Sequence, residues 1–162
     1  NKWHYNNQEI EEIPDETTIG FVYIITNVTT GKKYIGKKNF YQAVTDKKRP
    51  RQIDWSEKEK EDQKQKESDW KTYFGSSVAL QDDVKNLGEE NFHRNILRLC
   101  YTKGELSYFE AYHQMINEVL LKPDEFYNEW IMLKCHRTHL KNLKSNKFYA
   151  TIKSLKQTNH SE

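Results

Sequence analysis

The sequence has two cysteines, Cys100 and Cys135, among 162 residues. Two thiols make no disulfide framework, so packing must hold the fold, and a soluble protein of a reducing compartment is the simplest reading. Neither an apolar run of membrane length nor a signal-peptide pattern is present, which argues against a helical membrane anchor in this stretch. Net charge is also small, +2 from 26 basic and 24 acidic residues, so bulk charge alone argues only weakly for a polyanionic partner. Hydrophobic residues make up 35% and charged residues 31%. The core is therefore small relative to the surface, and part of the chain is expected to lie outside it. Internal repeats, zinc-finger spacings and a helix-turn-helix pattern are absent. The chain opens on Asn1 rather than on a methionine, as a segment from within a longer chain would.

What is present is unevenly distributed. Glu9, Glu11, Glu12, Asp15 and Glu16 cluster without a base, whereas Lys134, Arg137, Lys141, Lys144, Lys147, Lys153 and Lys156 lie in a stretch without an acid. The chain is acidic at its start and basic at its end. Ten tyrosines and four tryptophans suit both a thin core and stacking on bases.

The central stretch runs from Gly20 to Lys38. Phe21, Tyr23 and Ile25 alternate with Val22 and Ile24, the period of a strand with two faces. Asn27 to Gly31 carries turn chemistry, and a second strand places Tyr34 on one face with Lys33 and Ile35 on the other. Residues 1–18, broken by Pro14, read as an arm that docks lightly or not at all. Residues 41–69 form a charged insertion, with a basic loop at Lys47, Lys48, Arg49 and Arg51 followed by a mixed-charge run. That run is either a solvated helix or loop, or a flap whose basic tip reaches a phosphate backbone. Gly75-Ser76-Ser77 then caps a helix carrying Leu80, Val84 and Leu87, ended by Gly88. A third strand is expected over 92–100 and a long helix over 103–121, with Leu106, Phe109, His113, Ile116 and Leu120 at helical spacing. The pattern over 126–133 reads as a further short strand. Residues 134–162 read as a basic tail or helix outside the core.

Phosphodiester hydrolysis needs an activated water, charge neutralisation on the transition state and help for the leaving oxygen. Glu110 sits mid-helix among apolar neighbours, where a carboxylate calls for a cation or a metal. Tyr23 and Tyr34 are phenols on one hairpin, with Lys33, Lys37 and Lys38 beside them. A phenol is a poor base at neutral pH unless cations or a metal lower its pKa. Each residue also has an ordinary reading: strand tyrosines fill cores, helix glutamates border apolar stripes, and His113 suits packing. Cys135, His136 and His139 match no complete four-ligand spacing.

Gly20-Phe21-Val22-Tyr23, with Tyr34-Ile35-Gly36 following, resembles the GIY-YIG nuclease signature; Phe-Val replaces the first Ile. Ser76-Ser77, Leu80, Gly88 to Phe92 and Ile96-Leu97 resemble the family's helix–loop–strand segment. Leu106 with Glu110 resembles its metal-binding helix, and Tyr127-Asn128 its late Tyr-Asn element. Glu67 to Trp70 and Tyr73 to Ser76 resemble a phage-type, Seg-like branch.

The resemblance implies an α+β domain over 19–133: a small three-stranded, mainly antiparallel sheet flanked by helices. It implies a DNA endonuclease using one Mg²⁺ or Mn²⁺ on Glu110, with Tyr23 as general base or water-positioning phenol and Tyr34 lining the site. Asn128 would support the site by a hydrogen bond, and Lys38, with Lys33, would lower the phenol pKa and steady the phosphate. The family's helix-borne arginine has no counterpart at its usual place, so Arg49 or Arg51 is the candidate transition-state cation; a family histidine falls near Gly75. Contacts to double-stranded DNA are expected from Lys33, Lys37, Lys47, Lys48, Trp70, Ser76, Lys134, Arg137, Lys141 and Lys144, with modest specificity and strong salt dependence. A homodimer is one way to cut both strands, and the cytoplasm of a phage-infected bacterium is the expected setting. The alternatives are a non-catalytic DNA-binding module on the same fold and an interaction protein binding a protein partner.

Overall fold

The computed structural model describes residues 1–43, 66–140 and 143. Its centre is a five-stranded mixed sheet of order β2-β1-β5-β3-β4. The strands are β1 (Trp3–Tyr5), β2 (Gln8–Ile10), β3 (Gly20–Asn27), β4 (Lys33–Asn39) and β5 (Phe92–Cys100); the helices are α1 (Val78–Leu87) and α2 (Lys103–Ile116). The α+β class holds, but the sheet has five strands rather than three, and it is not purely antiparallel.

The two extra strands come from the first ten residues, expected to dock lightly. Asn6 and Asn7 both have positive φ, 50° and 64°, the backbone a tight two-residue hairpin turn demands. The hairpin they close pairs β1 in parallel with β5 through Trp3↔Arg94. Trp3 is 1% exposed, and its indole N–H donates to the Trp70 carbonyl at 2.7 Å. One buried tryptophan thus anchors an otherwise polar segment.

The central antiparallel pairs β3–β4 and β3–β5 follow the expected alternation. Phe21, Tyr23 and Ile25 face one cluster with Trp3, Phe40, Trp70 and Leu80; Val22 faces the other with Ile35, Leu106 and Phe109. A register shift in β5 opposite Val22 and Tyr23 inserts one residue. A bulge of this kind turns consecutive side chains the same way. Leu97 therefore packs on the α2 side, and Arg98, next in sequence, also lies there, 3.5 Å over the Phe109 ring.

Both helices start as their caps dictate. The Ser77 hydroxyl accepts from the Leu80 amide, and the Thr102 hydroxyl accepts from the Glu105 amide at 3.1 Å. In return, the Glu105 carboxylate accepts from the Tyr101 amide. Gly88 ends α1. α2 stops at Ile116, short of the expected 121: Asn117 binds the His113 carbonyl through its side chain, and Glu118 has φ 54°. Ile116 and Leu120, read at helical spacing with Leu106 and Phe109, are exposed. The strand anticipated over 126–133 is reduced to one bridge, Lys33↔Phe126. Of the segment read as lying outside the core, Leu140 and Leu143 pack into the α2-side cluster.

Candidate active site

The edge strand β4 carries chemistry on both faces. On one, Tyr34 stands beside Tyr23 of β3, ring centroids 6.1 Å apart. Tyr23 is 1% exposed, because Trp3, Tyr34 and Tyr73 pack around its ring. Burial, then the neighbouring phenols Tyr73 and Tyr34, pushes its pKa well above the ordinary value. Tyr34 is half-buried; its hydroxyl hydrogen-bonds the Ser76 hydroxyl at 2.9 Å, ahead of α1. Burial raises its pKa too, and the Ser76 bond works against that. Both phenols are thus raised, rather than lowered as expected from Lys38 and Lys33, because burial is the largest cause.

The glycines make this packing possible. A Cβ on Gly36 would lie 2.5 Å from the Tyr23 hydroxyl oxygen and 2.9 Å from the Tyr34 ring. The glycine of the second half-motif is therefore the space in which the first half-motif's phenol sits. Gly75 has φ +84° and lies against the Tyr34 ring, so it supplies both the turn into α1 and the clearance.

On the other face, α2 crosses β4. Ser107, Glu110 and Gln114 occur at i, i+3 and i+7, so they share a helix face. Lys37 Nζ lies 3.0 Å from Ser107 Oγ and 3.5 Å from Glu110 Oε1. The Glu110 side chain is 16% exposed. Burial raises its carboxyl pKa, and Lys37 partly offsets this. Its charge contributes, as a smaller cause, to the raised pKa of both Tyr23 and Tyr34. The three predicted site residues from three elements are thus electrostatically within reach of one another.

Asn128 grips the backbone between them. Its side-chain carbonyl accepts from the Ile35 amide at 3.0 Å, and its amide donates to the Ile35 carbonyl at 2.7 Å. Gln114 donates to the same carbonyl at 3.0 Å. The outward N–H and C=O of Ile35 on edge strand β4 are therefore both bonded by side chains, which fixes Tyr34 and Lys37 from the residue between them.

Lys38 lies elsewhere. Its ammonium sits 2.6 Å from Asp69 Oδ1 and 3.8 Å over the centroid of Tyr73, whose ring in turn packs on Tyr23. Tyr73 was not foreseen as a site residue; its ring stands edge-on to that of Tyr23, centroids 6.1 Å apart. Arg94, 1% exposed, holds the Tyr73 carbonyl at 2.9 Å and the Lys71 carbonyl at 3.0 Å. Burial lowers its pKa to about 10. Gln114 and Arg94 were likewise not foreseen; the signal for Gln114 was its place four residues after Glu110 on one helix face.

Trp70, expected on DNA, is instead fully buried, packed edge-on against Phe40 at 5.2 Å. Its ring completes the core where Phe21, Phe40 and Trp3 converge, leaving no surface for a ligand. Lys33 and Lys134 are exposed, and so are Ser76 and Arg137. Lys47, Lys48, Arg49, Arg51, Lys141 and Lys144 lie outside the described residues.

Among the described residues, no group of three or more His, Cys, Asp or Glu side chains gathers, which does not suit a structural zinc site. A single half-shielded carboxylate does suit a hard octahedral cation. Such an ion keeps several waters and takes further oxygens from a substrate phosphate.

The family model described as "Putative endonuclease segE, GIY-YIG domain" matches residues 3–131. That range includes the N-terminal hairpin and every element bearing the site. "Putative endonuclease segE" of Enterobacteria phage T4 is 33% identical over 108 residues, covering 67% of this chain and 39% of that protein. The chain thus spans well under half of the relative's length. No solved structure matches. With the hairpin phenols, the packed glycine and the helix glutamate in one place, the family match has a structural basis: the chain belongs to the GIY-YIG endonuclease family, in its phage segE-like branch.

Proposed function

We propose that this chain is a divalent-metal-dependent endonuclease domain that hydrolyses phosphodiester bonds of double-stranded DNA. The observation that carries the reading is the shielded Glu110 carboxylate, its side chain 16% exposed, facing Lys37 on the strand that also holds Tyr34. Glu110 would hold Mg²⁺ or Mn²⁺ together with water and a phosphate oxygen. Bound there, such an ion supplies Lewis-acid charge to the phosphoryl group.

The remaining work falls to the chain's own groups. Tyr34 is half-buried and borders a groove of about 350 Å³, whereas Tyr23 is sealed in the core. This favours Tyr34 as the phenol that orients the attacking water, and Tyr23 as the fixed neutral phenol behind it. Lys37, 37% exposed at its side chain, neutralises Glu110 in the free protein and is close enough to take a phosphate oxygen once Glu110 is otherwise engaged. Lys38 supplies positive charge on the Tyr73 side. Arg49 or Arg51 stays the candidate for transition-state charge. The basic C-terminal stretch suits backbone contacts, so cleavage should show modest sequence choice and weaken steeply with salt.

The test is conversion of supercoiled plasmid in Mg²⁺ or Mn²⁺. Wild type should nick or linearise it, and EDTA should stop the reaction. Glu110→Ala should lose cleavage and keep DNA binding. Binding without cleavage by the wild type in either metal would leave the non-catalytic DNA-binding module. Equal cleavage by both proteins would remove Glu110 from the site.

A further inference from the structure

The groove beside Tyr34 has a second wall. It is lined by Tyr34, Ser76, Tyr127, Asn128, Glu129 and Trp130, with the first turn of α1 closing one side. Trp130 is 76% exposed. The indole is not at the end of a loose segment. Asn128, two residues before it, is bonded twice to the Ile35 backbone, and Ile131, next after it, packs into the α2-side core. The other described tryptophans, Trp3 and Trp70, are at most 1% exposed. A large aromatic anchored on both sides yet left in water forgoes burial that the fold gives its other described tryptophans, and an exposed aromatic of this kind suits an incoming ring or apolar group.

We infer that Trp130 is a stacking platform for a base of the cleaved DNA strand next to the scissile phosphate. The inference rests on the nuclease reading above, which places that phosphate at Tyr34 and Glu110. The groove links the indole to Tyr34, so a strand entering at the phenol runs past Trp130. Lys32 lies 5.0 Å over the ring of Tyr127, another residue of the groove wall, and gives that side a cation; Glu129 is the one acid among the lining residues. Every base has a π-face, so stacking of this kind positions a strand without reading its sequence. Trp130 is then a positioning residue, setting which phosphate reaches Tyr34.

The test uses the full chain in a Trp55→Phe background, since Trp55 lies outside the described residues. Titration with a thymidine oligonucleotide and with a short duplex should quench tryptophan emission. Adding Trp130→Leu should abolish the quench, weaken DNA binding measured by anisotropy about tenfold, and scatter the cleavage positions on an end-labelled duplex. Trp130→Phe should restore most of the affinity and the cut position. Unchanged affinity and cut position in Trp130→Leu, with wild-type cleavage intact, would overturn the platform and leave the nuclease standing. Loss of a wild-type dimer in Trp130→Leu, seen by light scattering with DNA affinity unchanged, would assign the indole to a second copy and overturn it too. A wild type that neither binds nor cuts DNA would overturn both readings.

Discussion

Asn128→Ala isolates the contact on which the site's geometry turns. Asn128 makes two hydrogen bonds to one peptide: it accepts from the Ile35 amide and donates to the Ile35 carbonyl. The carbonyl has a second donor in Gln114, whereas for the amide the structure offers Asn128. Removing Asn128 therefore leaves a buried N–H without its partner, a loss of about 1–3 kcal/mol, and deletes one of two bonds to a carbonyl, about 0.5–1 kcal/mol. The sum is about 1.5–4 kcal/mol. Gln114→Ala removes only a bond to the carbonyl, so it should cost about 1 kcal/mol. Urea denaturation of both variants measures the difference. Asn128→Ala should also loosen β4, so Ile35 should exchange its amide hydrogen faster and plasmid cleavage should fall at least tenfold. A cost for Asn128→Ala no larger than for Gln114→Ala would refute the reasoning, because the amide partnership would then be without energetic weight.

Two other outcomes follow from the same geometry. Gly36→Ala places a methyl 2.5 Å from the Tyr23 hydroxyl and 2.7 Å from its ring carbon; the overpacking should cost about 1–3 kcal/mol by chemical denaturation and reduce cleavage at least tenfold, and near-wild-type values would mean that Tyr23 has room to move. Burial raises the Glu110 pKa above its ordinary 4.5, so the folded protein holds that proton to a higher pH than the unfolded chain does. Stability then falls as pH rises from about 4.5 through the raised value; in metal-free buffer Glu110→Gln should gain on wild type between pH 4.5 and pH 8, and a constant gap between the two urea midpoints would refute the shift.

Much of the fold was written in short-range chemistry. Alternation in β3, the capping serine and the terminating Gly88 each act within a few residues, so they are legible without tertiary knowledge. The N-terminal hairpin was missed, although Asn6-Asn7 is turn chemistry, and its membership of the sheet was not legible at all. That depends on Trp3 finding Trp70 and on β1 pairing with β5, contacts spanning 67 and 91 positions in sequence. The early end of α2 was hidden for a related reason: apolar periodicity continues to Leu120, but the Asn117 side chain turns back to the His113 carbonyl and diverts the chain.

The site divides the same way. The sequence by itself determined which groups are present and on which faces they stand: two phenols, lysines beside them, a glutamate on a helix, and a glycine closing the hairpin. Only the tertiary structure decided their working relations. Packing sealed Tyr23 and left Tyr34 at a groove, set Lys37 rather than Lys38 beside Glu110, and drew Trp70 into the core while leaving Trp130 in water. The physical reason is that exposure and pairing belong to the assembled surface. Neighbours on one strand differ in which element crosses above them, and that crossing is fixed by burial of the whole sheet rather than by the residues' own spacing.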